Sequence, residues 1–159
     1  MHQLLAAQYE GVKGARHALF GYCRTMTPVD LHKNISIFND NSILMLLTHI
    51  VNSYMHWVKF FDLQIPPLYF KDESVGDMDN VEHMFEQVDT AIGDFLSRYK
   101  TAYEEPFTKM HPSGDRFITT TPLMLYTHVI THEFHHKGQI LTMSRLLGYT
   151  PVDTDVIRT

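Results

Sequence analysis

At 159 residues, with 44% hydrophobic and 19% charged side chains, the chain suits one domain spanning 1–159 around a single hydrophobic core and is too apolar for disorder. It holds no 18-residue apolar run, and its opening MHQLLAAQYEGVKGARHALFGY has neither a basic leader nor a cleavable apolar stretch, so no membrane span is expected. A formal net charge of -5 without any Lys/Arg run leaves nucleic acid no electrostatic footprint, and the lone Cys23 excludes an internal disulfide and fits a cytoplasmic, reducing compartment.

Four long amphipathic segments follow one another. The first runs from about residue 3 to 26 and is closed by Thr27-Pro28. The second begins after Asn39-Asp40-Asn41, any of which suits a helix cap, and runs to about Leu63, where Ile65-Pro66-Pro67 ends it. The third begins near Asp77-Met78-Asp79, with acids placed to meet the helix dipole, and continues to about Tyr103. The fourth opens at Thr120-Thr121-Pro122, a capping threonine with proline at the first helical position, and stops at Gly148. None of the segments alternates with period two, and no hairpin is expected. Four helices of roughly 24 to 27 residues, each about 36 to 40 Å long, predict an all-α, single-domain four-helix bundle of up-and-down type. The connections near 27–39, 65–76 and 104–119 exceed the roughly two to eight residues usual in bundles. They predict crossover connections or a covered pocket at one end.

Eleven histidines are present, and five of them, His111, His128, His132, His135 and His136, fall within residues 111–136. At about 100° per residue, Leu125, Val129, His132, His136, Ile140, Met143 and Leu147 share one stripe of the fourth helix. That stripe should face the core, which points His132 and His136 inward and leaves His128 and His135 on its margin. Leu123, Ile130, Phe134 and Leu141 form a second apolar stripe, suited to another helix or to the partner in a homodimer. Histidines at i and i+4 rise about 6 Å along one face, so both imidazoles reach one ion. His128 and His136 lie about 12 Å apart along the axis and cannot share it. The core-centred pair is His132 and His136.

The second helix offers a third donor. In THIVNSYMHW, His49 shares a face with Leu46, Ser53, His56 and Trp57, beside a stripe of Ile43, Ile50, Tyr54 and Phe61. If both helices start at the same end of the bundle, His49, His132 and His136 meet at similar depth. The plain alternative for each is a hydrogen-bonded core histidine, because an unsatisfied buried group costs about 1–3 kcal/mol. His56, His128 and His135 read as supporting or surface residues. His2, His17, His32, His83 and His111 carry no site pattern, and Cys23 reads as a small core residue rather than a nucleophile.

His132-Glu133-Phe134-His135-His136 also spells H-E-x-x-H, the zinc-protease pattern in which the glutamate is the general base. Only 23 residues follow His136, none of them His or Glu. The longer metzincin spacing is absent, and no strand is expected to align a peptide. Glu133 has an ordinary role open to it, pairing with Lys137 at i+4.

The run His132-Glu133-Phe134-His135-His136-Lys137-Gly138-Gln139-Ile140 resembles the H-x-x-x-H-R-G-Q-I signature of the DinB/YfiT-like superfamily of metalloenzymes, with Lys137 in place of the commoner arginine. Leu146-Leu147-Gly148-Tyr149-Thr150-Pro151, with Asp155 shortly after, resembles that family's ending, and THIVNSYMHW resembles its first-histidine segment. The resemblance covers nearly the whole chain. It implies a four-helix bundle, often dimeric, in which His49, His132 and His136 bind zinc, nickel or a similar divalent ion and leave positions open for water or substrate. Gln139, and His128 beside it in this reading, would support the ligands from outside; alternatively Gly138 and Gln139 serve close helix packing. Some relatives are thiol S-transferases or isomerases using low-molecular-weight thiols, a chemistry that suits a metal site. Three functions stay open: a metal-dependent transferase joining a thiol to a small electrophile, a metal-dependent hydrolase, and a non-catalytic, stress-related binding protein with a structural ion. No residue stands out as a general base.

Overall fold

The computed structural model describes residues 1–71 and 75–158. Each helix begins where the local chemistry of the chain supplies a cap. Helix α1 spans His2–Cys23, and Thr27 then caps the single turn α2, Pro28–Leu31, by accepting from the Asp30 amide at 3.2 Å. Helix α3, Ile43–Met55, is capped by Ser42, whose hydroxyl accepts from the Met45 amide, and continues as a π-helical stretch, His56–Phe61. The cap is thus one residue beyond Asn39-Asp40-Asn41. Asn39 and Asp40 instead take left-handed backbone angles, φ 55° and 56°, in the turn before the helix, a conformation these two residue types tolerate best after glycine. Asp77 caps α4, Met78–Arg98, and Thr121 caps α5, Pro122–Leu146, with Pro122 in the first turn. Helix α5 ends on Gly148 at φ 92°, and Tyr149 N–H bonds back to the Ser144 carbonyl.

A short antiparallel hairpin stands where no strand was expected. Strand β1, Phe107–Met110, pairs with β2, Phe117–Thr120, with Phe107 opposite Thr120 and Met110 opposite Phe117. Four-residue strands are too short for a clean alternation, but the signal was present. Phe117-Ile118-Thr119-Thr120 is aromatic and β-branched, and Pro112 and Gly114, the latter at φ 76°, mark the turn. The hairpin is tied down by the fully buried carboxylate of Asp62, which receives Arg98, Tyr99 and Lys109. Gln64 adds a two-way clasp to the backbone of Met110.

Helix α3 packs on α4 and α5, and α1 packs on the same two. The partner residues give the directions. From Leu5–Tyr126 through Arg16–Glu133 to Tyr22–Ser144, α1 and α5 run the same way. Tyr9–Asp89 and Arg24–Asp79 make α1 and α4 antiparallel. Val58 shares a groove with Gln87 and Ala91, and Asp62 meets Arg98, so α3 and α4 are parallel. The long helices therefore run up, down, down, up, which corrects the alternating up-and-down expectation. Parallel neighbours require a connection that returns along the helix. Residues 63–76 suffice, since fourteen extended residues reach about 46 Å and α4 is about 31 Å long. Among the described residues no helix is long and apolar enough to cross a membrane.

At the centre of the core lies a charged network. Arg16 and Glu133, 3% and 1% exposed, form a two-pronged pair at 3.1 and 3.0 Å. Arg16 also reaches Asp89 at 2.7 Å, Tyr9 donates to the same carboxylate, and Tyr54 donates to Glu133 at 2.6 Å. The guanidinium lies 4.4 Å from the ring centre of Phe85. Burial alone would disfavour its charge, yet Glu133 beside it holds the Arg16 pKa well above the ordinary value. Side chains from all four long helices meet here. Removing one partner of such a pair strands the other, so Arg16→Met should lower stability by about 3–5 kcal/mol. Arg16→Met combined with Glu133→Leu should recover a good part of that loss in urea unfolding. Single variants within about 1 kcal/mol of the wild type would remove the network from its central role.

Candidate metal centre

Helix α5 turns a different meridian to the core than its apolar pattern suggests. Leu125, Val129, Ile140 and Met143 are buried as expected, but so are Glu133 and Lys137, whereas His132 and His136 are only half-buried on the flank facing α3. The expected inward direction of the two histidines is corrected accordingly. The physical reason is pairing: Glu133 is neutralised by Arg16, and the Lys137 ammonium donates to the Thr154 carbonyl at 2.9 Å while lying 3.9 Å from the ring centre of Phe134. Burial pushes the Lys137 pKa down to about 8, with Glu133 opposing the shift. Glu133 and Lys137 therefore hold other partners than each other, contrary to the i+4 pairing expected. Glu133 is also sealed away from the histidines' cleft, so the H-E-x-x-H reading has no available base. The second stripe of α5 is met by the chain itself: Ile130 is buried, and Phe134 lines a cavity shared with Gly11 and Val12 of α1 and Val156 of the C-terminal segment.

The flank position brings three imidazoles together. His49 projects from α3, with ring centres 5.2 Å from His132 and 4.7 Å from His136. One ring nitrogen from each of His49, His132 and His136 lies within 4.8 Å of the others. The helices that carry them run in opposite directions, as His49–His136, Tyr54–Glu133 and Trp57–His128 show. The same-end condition is therefore wrong, and the three meet because α5 extends past the start of α3. The Nε2 atoms of His132 and His136 stand 3.2 Å apart. Two imidazoles on one tetrahedral ion at roughly 2.0–2.1 Å would be separated by about 3.3 Å.

Protonation fits the same purpose. His136 Nδ1–H donates to Gln139 Oε1 at 2.6 Å, which leaves the Nε2 lone pair facing the cluster. The Gln139 amide nitrogen points toward His135 at 3.4 Å. Burial, reinforced by the neighbouring imidazoles, pushes His132 down to about 4, and burial also lowers His136 against the opposing Gln139 bond. Neutral imidazoles are what a divalent ion requires. The Nδ1 of His132 is buried with no hydrogen-bond partner among the described residues. By contrast, His128 is exposed, its ring 5.7 Å from His132 and edge-on to Trp57 at 5.2 Å. A Cβ added at Gly138 would meet nothing within 4 Å, so that glycine does not serve a close helix approach. Cys23 is buried, and burial pushes its thiol up to about 12, as suits a core residue.

Two clefts open on the cluster. The larger, about 820 Å³, is polar: Asn39, Asn41, Asn52 and Gln139 line it with His49 and His136. The smaller, about 440 Å³, is walled by Trp57, Tyr69, His56 and His128 and also reaches His49 and Asn52. Among the described residues no carboxylate lines either cleft. Two contributors had no sequence pattern to reveal them. Asn52 exchanges two hydrogen bonds of 2.9 Å with the backbone of Phe70 and so folds the 65–71 segment back along α3. His111, delivered by the hairpin, lies 5.0 Å from His56 between ring centres and faces Trp57. Both depend on chain segments far apart in sequence, and only the position of Asn52 one turn after His49 hinted at a role.

The chain is 25% identical over 143 residues to the uncharacterized protein YizA of Bacillus subtilis (strain 168), an alignment that covers 89% of this chain and 87% of that protein. The sequence model of the DinB family matches residues 1–159. With the match extending over its whole length, the chain belongs to the DinB family.

Proposed function

We propose that His49, His132 and His136 hold one divalent ion, zinc or nickel, and that the protein is a metal-dependent transferase joining a low-molecular-weight thiol to a small electrophile in the cytoplasm. The observation that carries the reading is the convergence of three imidazoles, with burial lowering the pKa of His132 and His136, on a point where two clefts meet. Bound there, the ion would supply a positive charge that favours thiolate over thiol at neutral pH. Gln139 holds His136 in the tautomer that presents Nε2. The amide-lined cleft offers hydrogen bonds to a polar thiol through Asn39, Asn41 and Asn52. In the transfer the thiol proton passes to solvent, a sulfur–carbon bond forms, and the leaving group departs with its bonding pair. Hydrolysis by the zinc-protease route is less well supported, because it needs a carboxylate base and Glu133 is committed to Arg16 and Tyr54.

Metal binding is read by elemental analysis and melting temperature. A ligand at about one hundred times its dissociation constant adds about 2.7 kcal/mol, or roughly 5–10 °C for a domain of this size. Added zinc or nickel should raise the melting point by that amount and leave His49→Ala and His136→Ala unmoved. A protein that holds no metal and ignores both ions would end the reading.

Transfer is read with monochlorobimane and a thiol such as cysteine or glutathione. The loaded protein should accelerate adduct formation, His136→Ala should abolish the acceleration, and Gln139→Ala should lower it about 10–100-fold. A metal-stabilised protein that is inert here, and against ester and amide panels, would leave the structural-ion function.

We also propose that two copies associate, supported by exposed apolar side chains on the lip beyond α3: Leu63, Ile65 and Leu68, the last 82% exposed. Sedimentation should show a dimer at micromolar concentration, and a monomer throughout would overturn it.

A further inference from the structure

The two clefts that meet at the histidines differ in chemistry, and the difference assigns them different ligands. The larger presents amide groups and the side chain of Lys71. Among the described residues, the smaller has no Lys, Arg, Asp or Glu on its walls. Its surfaces are rings at fixed angles. His56 lies parallel to Tyr69, 16° between planes, and the Tyr69 hydroxyl sits 2.6 Å from His56 Nδ1. Trp57 stands across them at 78° to His56, and His128 closes the opposite side at 76° to Trp57. His111, 14% exposed, backs His56 and Trp57 from the hairpin.

Four otherwise separate parts of the chain frame this slot, α5 supplying His128. The π-helical stretch closes its hydrogen bonds over five residues instead of the four of an α-helix, which re-phases its side chains, a feature common at functional sites. It turns His56 and Trp57 toward the opening. The returning 65–71 segment, held by Asn52, supplies Tyr69. The hairpin, held by Gln64 and Asp62, supplies His111. A preformed ring-lined slot of this kind accepts a flat uncharged molecule by offset stacking and edge contacts, without reorganising. At about 440 Å³ it has room for one or two fused rings.

We propose that the slot formed by His56, Trp57, Tyr69 and His128 is the binding site for the electrophile, and that it selects planar, uncharged, aromatic or conjugated molecules. This rests on the two-substrate reading above: one ligand enters through the amide-lined cleft, the other through the aromatic slot, and they meet at His49, which both clefts reach. Entry from two sides keeps the two reactants apart until both are bound.

Trp57 is the single tryptophan of the chain, so its emission reports on this slot alone. The test titrates the protein, with and without zinc, with the unreactive planar dimethylbimane. The expected result is a saturable change in Trp57 emission in both forms. Binding should weaken roughly ten-fold in Tyr69→Ala and in His128→Ala. His128 is an exposed helical position where alanine leaves the fold intact, so its variant keeps the test sound if Tyr69→Ala disturbs the 65–71 segment. Asn39→Gly, which suits the left-handed backbone at that position and alters only the other cleft, should leave the affinity unchanged. No saturable change, unchanged binding in His128→Ala, or a loss in Asn39→Gly would each overturn the assignment. Because the titration needs neither metal nor turnover, its failure would leave the metal reading intact. Failure of the metal to bind would show separately in the melting experiment.

Discussion

Arg16 and Glu133 are charged groups almost sealed from solvent, and a two-pronged pair at that depth tolerates little displacement of the helices that carry it. Asp89 from α4 and Tyr54 from α3 bond to the same two groups, so every long helix has its register set by one network. A purely apolar core would allow α5 to rotate by some tens of degrees at modest cost, since hydrophobic contact is not directional. The buried pair forbids it, because any rotation leaves a carboxylate or a guanidinium without partners. Whether it adds net stability over an apolar core is a separate matter from the orientation it imposes.

That orientation is what makes the histidine cluster. With Glu133 and Lys137 turned to the interior, His132 and His136, one residue earlier in each case, fall on the flank beside α3 and meet His49. The molecule inverts the usual division, with charges buried and the imidazoles at the margin. The inversion is physically consistent. The buried charges are paired or bonded to carbonyls, while half-burial lowers the pKa of His132 and His136 and leaves the cluster accessible from two clefts. A ligand set at the true centre of the helices would have been dry but closed to any substrate.

The connections between helices complete the site. The turn with left-handed Asn39 and Asp40 and the 65–71 segment pinned by Asn52 place side chains on the clefts, and the hairpin pinned by Asp62 sets His111 behind His56 and Trp57. Each is longer than a simple helix-to-helix turn. The parallel run of α3 and α4 explains the second of them, since the chain must travel back along a helix before starting the next. Function-bearing residues on such segments gain precision when polar side chains of the helices hold their backbones, as Asn52 holds Phe70 and Gln64 holds Met110.

Local chemistry within the chain determined the helices and the donor set. Capping threonines, helix-ending prolines and Gly148 placed the helix boundaries to within a few residues, and the i, i+4 spacing together with the family motif singled out His132, His136 and His49. Those signals are legible because each depends on neighbours within one or two turns. The tertiary structure alone decided the up, down, down, up order, the burial of Glu133 and Lys137, and the arrival of His111 and Tyr69 beside Trp57. Pattern reading assigned Glu133 and Lys137 to each other because it assumes that charge faces water. Arg16, 117 residues away from Glu133, is the partner that overturns the assumption, and no spacing along the chain announces a contact made across that distance.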